Sequence, residues 1–211
     1  MKVLVVKGNN RPADQAVSSK MYEEFVANLK GVEVKTFDVF EEYMPYFGQD
    51  FFDIFGKLQA GEALTQEEQN KLAAKQKAMD AVSEADVLVF AFPLWNLTIP
   101  AALQTFIDYT YAAGFSFKYN EQGQLVSLLT DKKAILLNAR GGNYSAPEMQ
   151  GMEMSLNYMR NVIGGVYGCE IIDEVIIEGH ASNPAASQDI INEGLTRVKA
   201  AAEKLSVLAT V

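Results

Sequence analysis

One cysteine and one histidine are all the chain has, and that scarcity excludes more chemistry than it allows. With Cys169 alone, neither an intramolecular disulfide nor a cysteine metal cluster can form. With His180 alone, a His-pair zinc site is ruled out and a Ser-His-Asp triad is a poor fit, so no metal ligands and no catalytic side chain are assigned. Neither G-x-G-x-x-G nor G-x-x-x-x-G-K-[ST] occurs, which removes the dinucleotide fingerprint and the P-loop. Positive charge is short: 18 Lys and Arg against 27 Asp and Glu give a net charge of −9. That balance speaks against nucleic acid and against an anionic membrane surface. No run approaches the roughly 18 apolar residues of a membrane span. Met1 leads straight into a strand-like segment with no signal h-region, so the expected location is cytoplasmic. Repeats, low-complexity tracts and linkers are absent too. What remains, 49% hydrophobic and 21% charged over 211 residues, is an ordinary globular composition expected to form one domain over 1–211.

The chain is organised around Val-Leu-Val-Phe-Ala-Phe-Pro-Leu-Trp-Asn-Leu-Thr-Ile-Pro at 87–100. Its first half is a short apolar run rich in β-branched and aromatic residues, which reads as a strand buried on both faces. Pro93 should end that strand, and Pro100 suits the first turn of a helix. Between them lies an apolar loop with Trp95 and one amide, Asn96, where an α/β sheet would hold a flat ring.

Strands and helices alternate along the rest. Strand 2–7 is followed by a turn-rich loop and by a helix over 15–30, with Val17, Met21, Phe25 and Leu29 on one face and Gly31 at its end. Residues 32–39 alternate as a second strand, with Val32, Val34 and Thr36 on the apolar side. Residues 40–62 are irregular and aromatic. Phe51, Phe55 and Leu58 would share a helical face, either capping the core or covering a ligand site or dimer contact. Thr65 with Glu68 forms a capping box for a long helix to about residue 84 with a thin apolar stripe. After the helix from Pro100 to about 113, residues 115–129 read as a β-hairpin excursion. Then come a strand over 132–138, a helix over 147–163, a strand over 169–178 and a helix over 183–208. Five βα repeats with right-handed crossovers give a doubly wound parallel sheet, in the flavodoxin-like order 2-1-3-4-5. Its switch point lies between strands one and three, so the ligand-facing loops are 8–14 and 93–99.

Two readings stand open at each candidate residue. The start of the first helix offers backbone amides and the Ser18 hydroxyl to a phosphate, or else Asp14 or Ser18 merely caps the helix. Trp95 is a ring wall or a core residue. Arg140, Gly141 and Gly142 bring backbone close to a ligand, with Tyr144 over a ring, or make a tight turn. His180 reads as an edge or interface residue, and Cys169 as a small buried hydrophobe.

Five segments then narrow the choice: Lys-Gly-Asn-Asn-Arg-Pro-Ala-Asp-Gln-Ala-Val-Ser at 7–18, Phe-Pro-Leu-Trp-Asn-Leu-Thr-Ile-Pro at 92–100, Ala-Gly-Phe-Ser-Phe-Lys-Tyr at 113–119, Leu-Asn-Ala-Arg-Gly-Gly at 137–142 and Ile-Ile-Glu-Gly-His at 176–180. Together, and in this order, they resemble the FMN-dependent NADH-azoreductases. The resemblance implies a flavodoxin-like fold, a homodimer, FMN as bound cofactor, NADH as co-substrate, and reduction of azo compounds and quinones. Position by position it implies a phosphate loop at Ala16, Val17 and Ser18 with Asn9 nearby. It implies one flavin-ring segment at Pro93, Leu94, Trp95, Asn96 and Leu97 and another at Ala139, Arg140, Gly141 and Gly142. Family members often carry Met where Leu94 stands and Ser where Ala139 stands, and both contacts can be made by backbone N–H groups. Phe115 replaces a family lysine, which bears on access or nicotinamide preference. The implied reaction is ping-pong, NADH delivering hydride and leaving before the acceptor takes its place. The rival is a flavodoxin-type electron carrier, which would not need the additions at 40–62 and 115–129.

Overall fold

The computed structural model describes residues 1–209. Five parallel strands form the central sheet: β1 (Lys2–Lys7), β2 (Glu33–Asp38), β3 (Val87–Pro93), β6 (Lys133–Arg140) and β7 (Glu170–Glu178), in the order β2-β1-β3-β6-β7. The remaining two strands, β4 (Phe117–Tyr119) and β5 (Leu125–Ser127), make a separate antiparallel hairpin. Counting only the strands of the main sheet, this is the flavodoxin-like order 2-1-3-4-5. Helices α1 (Val17–Asn28) and α6 (Ser187–Leu208) cover one face, while α3 (Gln66–Glu84), α4 (Ala101–Thr110) and α5 (Ser155–Met159) cover the other; α2 (Gln49–Ala60) lies beside α3.

β3 shows why these residues make a central strand. All seven are buried, and their side chains alternate between two cores. Leu88, Phe90 and Phe92 join the layer under α3 and α4, while Val87, Val89 and Ala91 join the layer under α1 and α6. Pro93 is the last paired residue, opposite Ala139, and the next N–H, Leu94, bonds the Ala139 carbonyl at 2.8 Å. The strand therefore ends where the missing donor costs nothing.

The edge strand β2 departs from its alternation. Val32 packs partly against the core as expected, but Val34 is exposed, and the deeper contact comes through Phe37 and Val39 on the opposite parity. Being at the rim, β2 faces solvent over most of its length, and Lys35 reaches Glu84 at 3.1 Å instead. On α2 the buried face is Phe51 with Ile54, not Leu58, which is exposed. The capping box at α3 is present, with Thr65 N–H donating to Glu68 at 2.8 Å and Glu68 N–H to the Thr65 hydroxyl at 3.3 Å. Its stripe is built from Ala74, Ala78, Ala81 and Val82 with Lys75. Pro100 takes the cap position one residue before α4 rather than its first turn.

The helix expected over 147–163 is broken. A short 3₁₀ turn spans Gln150–Met152, α5 then runs Ser155–Met159, and a π-helix continues through Arg160–Val166. Glu153 causes the break. Its buried carboxylate accepts the N–H groups of Ser155, Leu156 and Asn157 at 3.1, 2.8 and 3.2 Å, which starts a new helix at that point. Between β6 and β7 the register slips at Ala134/Ile135, and the strand expected from Cys169 begins at Glu170. Among the described residues no helix is long and apolar enough to cross a membrane, and no group of three or more His, Cys, Asp or Glu could hold a metal.

Candidate functional site

The site lies at the carboxyl ends of β1 and β3, where the strand order reverses. A cleft of about 370 Å³ is lined there by Asn9, Ala16, Val17, Ser18, Pro93, Leu94, Trp95, Ala139 and Gly141. The loops after β1, β3 and β6 thus converge on one cavity.

One end of the cleft is built by α1. The residue at the cap, Ala16, is extended (φ −144°, ψ 122°) and no side chain caps the helix, so neither Asp14 nor Ser18 plays that part. The first N–H of the helix to find a backbone acceptor is that of Lys20, on the Ala16 carbonyl at 3.1 Å. The groups of Val17, Ser18 and Ser19 remain without one among the described residues, and with the helix dipole they favour an anion. An alanine cap on a helix of 12 residues is a poor choice on stability grounds. It is a good one where a ligand supplies the acceptor. Ser18 is buried and its Oγ accepts from Asn9 Nδ2 at 2.8 Å, which leaves the hydroxyl proton to donate. Asn9 is fixed in turn, its Oδ1 accepting the Arg11 N–H at 3.0 Å. Arg11 and Lys20 also line the cleft, against the single carboxylate of Asp14.

The other end is built by the loop after β3. Trp95 and Thr98 exchange backbone hydrogen bonds at 2.9 and 3.1 Å around Asn96 and Leu97, which have φ of 50° and 72°. Positive φ at both central residues is the requirement of a type I′ turn, normally met by Asn-Gly. A leucine held there is strained, and such strain gathers at ligand clamps. The Leu97 carbonyl is pinned by the Met154 N–H at 3.0 Å, while the N–H groups of Asn96 and Leu97 find no acceptor among the described residues. Trp95 is half-buried rather than core. It forms the wall between the cleft and a second, more apolar one of about 610 Å³ lined by Phe40, Tyr46, Asn96, Ile99 and Ala102.

The third segment is divided by the structure. Ala139 and Gly141 face the cleft, whereas the Arg140 side chain turns to the opposite side of β6. There it pairs with Glu178 at 2.9 Å and Glu153 at 3.5 Å, and its Nη2 donates to Ser145. Burial pushes the Glu178 carboxyl up, but the Ser145 hydrogen bonds and the Arg140 charge more than offset it and hold it below the usual range. Tyr144 lies 5.9 Å from the Arg140 guanidinium and does not line the cleft. Gly141 is required by close approach of the next loop, because a Cβ there would sit 2.9 Å from Ala181 Cβ. Phe115 packs against the core beneath α4. Of the aromatics at 40–62, Phe40, Phe47 and Phe55 pack on that core while Tyr43, Tyr46 and Phe52 stay exposed. Cys169 is buried, and desolvation pushes its thiol up to about 11.

Lys20, Ile191 and His180 also line the cleft, outside the loops and helix start that the sequence points to, while Arg11 and Gln15 lie within them. For His180 a signal existed: it follows the carboxyl end of the fifth strand, where ligands of open α/β sheets bind.

A family model described as "Flavodoxin-like fold" matches residues 1–202. The chain is 44% identical over 207 residues to FMN-dependent NADH:quinone oxidoreductase 4 of Bacillus cereus (strain ZK / E33L), covering 96% of this chain and 99% of the relative. It is 42% identical over 206 residues to FMN-dependent NADH:quinone oxidoreductase 1 of Bacillus subtilis (strain 168), covering 96% and 98%. The crystal structure of an azoreductase from Bacillus anthracis str. Sterne superposes with a TM-score of 0.88 at 44% identity, over 96% of this chain and 99% of that one. The chain belongs to the flavodoxin-like fold family and, within it, to the FMN-dependent NADH:quinone oxidoreductases and azoreductases.

Proposed function

We propose that this protein is an FMN-dependent NADH oxidoreductase that reduces quinones to hydroquinones and azo compounds to amines. The observation that carries the reading is the single cleft joining an uncapped helix N-terminus, Ser18 and Asn9 at one end to the Trp95 wall at the other. A phosphate and a planar ring in one molecule fit those two ends. FMN would supply the hydride chemistry when bound, so the reaction asks for no nucleophile or general base from the chain. The chain's own residues bind and orient. Val17 to Ser19 offer N–H groups to the phosphate, and Ser18 offers its hydroxyl. Trp95 walls the ring, and the Asn96–Leu97 turn presents N–H groups that favour negative charge nearby.

The two-electron acceptor replaces NADH in the same space, so steady-state rates with NADH and a benzoquinone should give the parallel lines of a ping-pong mechanism. Loss of NADH oxidation in FMN-saturated protein with both a quinone and an azo dye would sink the reading. A flavodoxin-type carrier would pass electrons to a protein while leaving NADH alone.

The working form is a cytoplasmic homodimer of one FMN-binding domain per chain. Exposed Tyr46 in the apolar cleft with Phe40 and Ile99, and exposed Tyr43 and Phe52 in the same segment of chain, support a covered surface there. Sedimentation at micromolar concentration should show the dimer; only the 23.2 kDa species would contradict it.

A further inference from the structure

We infer that His180 is a binding residue for the flavin, its Nδ1 hydrogen-bonding to a polar atom of the FMN held in the cleft. The inference rests on the function proposed above and goes beyond it, because His180 belongs to none of the loops that the resemblance assigned to the cofactor.

Geometry places it. His180 lines the cavity that holds Ala16, Ser18, Leu94, Trp95 and Gly141. Its Nδ1 is buried and has no hydrogen-bond partner within the chain. Buried polar atoms are rarely left in that condition, and those that are call for a specific explanation. A ligand that brings its own donor or acceptor supplies one.

The backbone that carries the ring is held in place. Gly179 turns the backbone with φ of 81°, a value that glycine adopts without strain. Its carbonyl accepts the Asn183 N–H at 2.9 Å, and its N–H donates to the Gly142 carbonyl at 3.2 Å. On the other side the Ala181 and Ser182 N–H groups donate to the Gly141 carbonyl at 3.0 and 3.2 Å. Three backbone hydrogen bonds from its neighbours thus tie His180 to the loop that carries Gly141 and Gly142.

Burial pushes the imidazole below its usual range. At neutral pH the ring is uncharged, with one donor and one acceptor nitrogen. Hydrogen bonding, not ion pairing, is what it offers.

The chain's only histidine makes the test clean. FMN is titrated into flavin-free full-length protein, read by quenching of flavin fluorescence, for wild type and three variants. His180→Ala should bind FMN about tenfold more weakly, since it loses one buried hydrogen bond. It should do so without lowering the stability of the flavin-free protein, because Nδ1 has no partner there to lose. His180→Asn, whose amide reaches the position of Nδ1, should recover most of the affinity. His180→Gln, which reaches only toward Nε2, should not. In wild type the Nδ1 resonance of the single imidazole should shift on adding FMN and stay put with inorganic phosphate. Equal affinity of His180→Ala and wild type overturns the inference, and so does an equal loss in all three variants. Wild type that fails to bind FMN overturns the proposed function as well, so the two failures are told apart by which protein shows them.

Discussion

Arg140 donates through Nε to Glu178 Oε2 at 2.9 Å, and that same oxygen accepts the backbone N–H groups of Tyr144 and Ser145 at 3.0 and 3.2 Å. One ion pair therefore ties the ends of β6 and β7 and folds the loop after Gly142 back onto them. Arg140 also neutralises Glu153, the carboxylate that starts α5. Arg140→Met would strand two carboxylates near a low-dielectric core, and breaking a buried pair this way costs about 3–5 kcal/mol. Urea unfolding should show that loss. FMN affinity should fall too, even though the Arg140 side chain does not line the cleft; unchanged values of both would remove the positioning role.

On the proposed function, the uncapped start of α1 takes the phosphate and the Trp95 loop takes the ring, so the two can be tested apart. Ser18→Ala removes a hydroxyl donor beside free helix N–H groups and should weaken FMN about tenfold, the loss of one charge-assisted hydrogen bond. Riboflavin, which lacks the phosphate, should bind wild type and variant alike. A parallel loss for both ligands would place Ser18 at the ring end instead.

How much of this was legible in the sequence depends on how far each cause reaches along the chain. β3 could be read because seven consecutive buried residues carry their own signal, and the Thr65–Glu68 box because its partners are three residues apart. The cleft could be placed because strand order fixes the switch point. α5 could not, since its break depends on where the Glu153 carboxylate turns. Nor could the side of β6 that Arg140 takes, which is decided by Glu178, 38 residues away. The burial of Phe37 rather than Val34 follows from β2 lying at the rim, where alternation alone does not say which parity meets a helix. Topology makes His180 a candidate by its place after β7, but its cleft partners come from three other loops that local pattern does not connect.

The turn at Asn96–Leu97 yields a test of strain by sign. In most elements glycine is less stable than alanine by roughly 0.5–1 kcal/mol. At Leu97, with φ of 72°, the order should invert, Leu97→Gly exceeding Leu97→Ala by about 1 kcal/mol, because alanine keeps the left-handed penalty. Thermal unfolding of the two variants reads this directly; the ordinary order would mean the turn relaxes.

Lys75 gives a pH signature. It is buried in the α3 stripe, donates to the Tyr109 carbonyl and lies 5.7 Å from the Phe47 ring, and desolvation pushes it down to about 8. Between pH 8 and the ordinary value of 10.5 the unfolded chain holds a proton that the folded chain has shed. Stability contributed by this group therefore rises with pH across that window. Lys75→Met should remove the rise, so that wild type gains on the variant by roughly 1–3 kcal/mol between those limits. A constant difference would show that Lys75 titrates normally.

The central claim is that one cleft holds FMN where NADH and then a quinone can reach it. Anaerobic stopped-flow absorbance of the FMN-loaded protein tests it most directly. The account predicts that NADH alone bleaches the visible flavin band in a single turnover, and that a benzoquinone added afterwards restores it in full. A bound flavin that keeps its colour under NADH would contradict it.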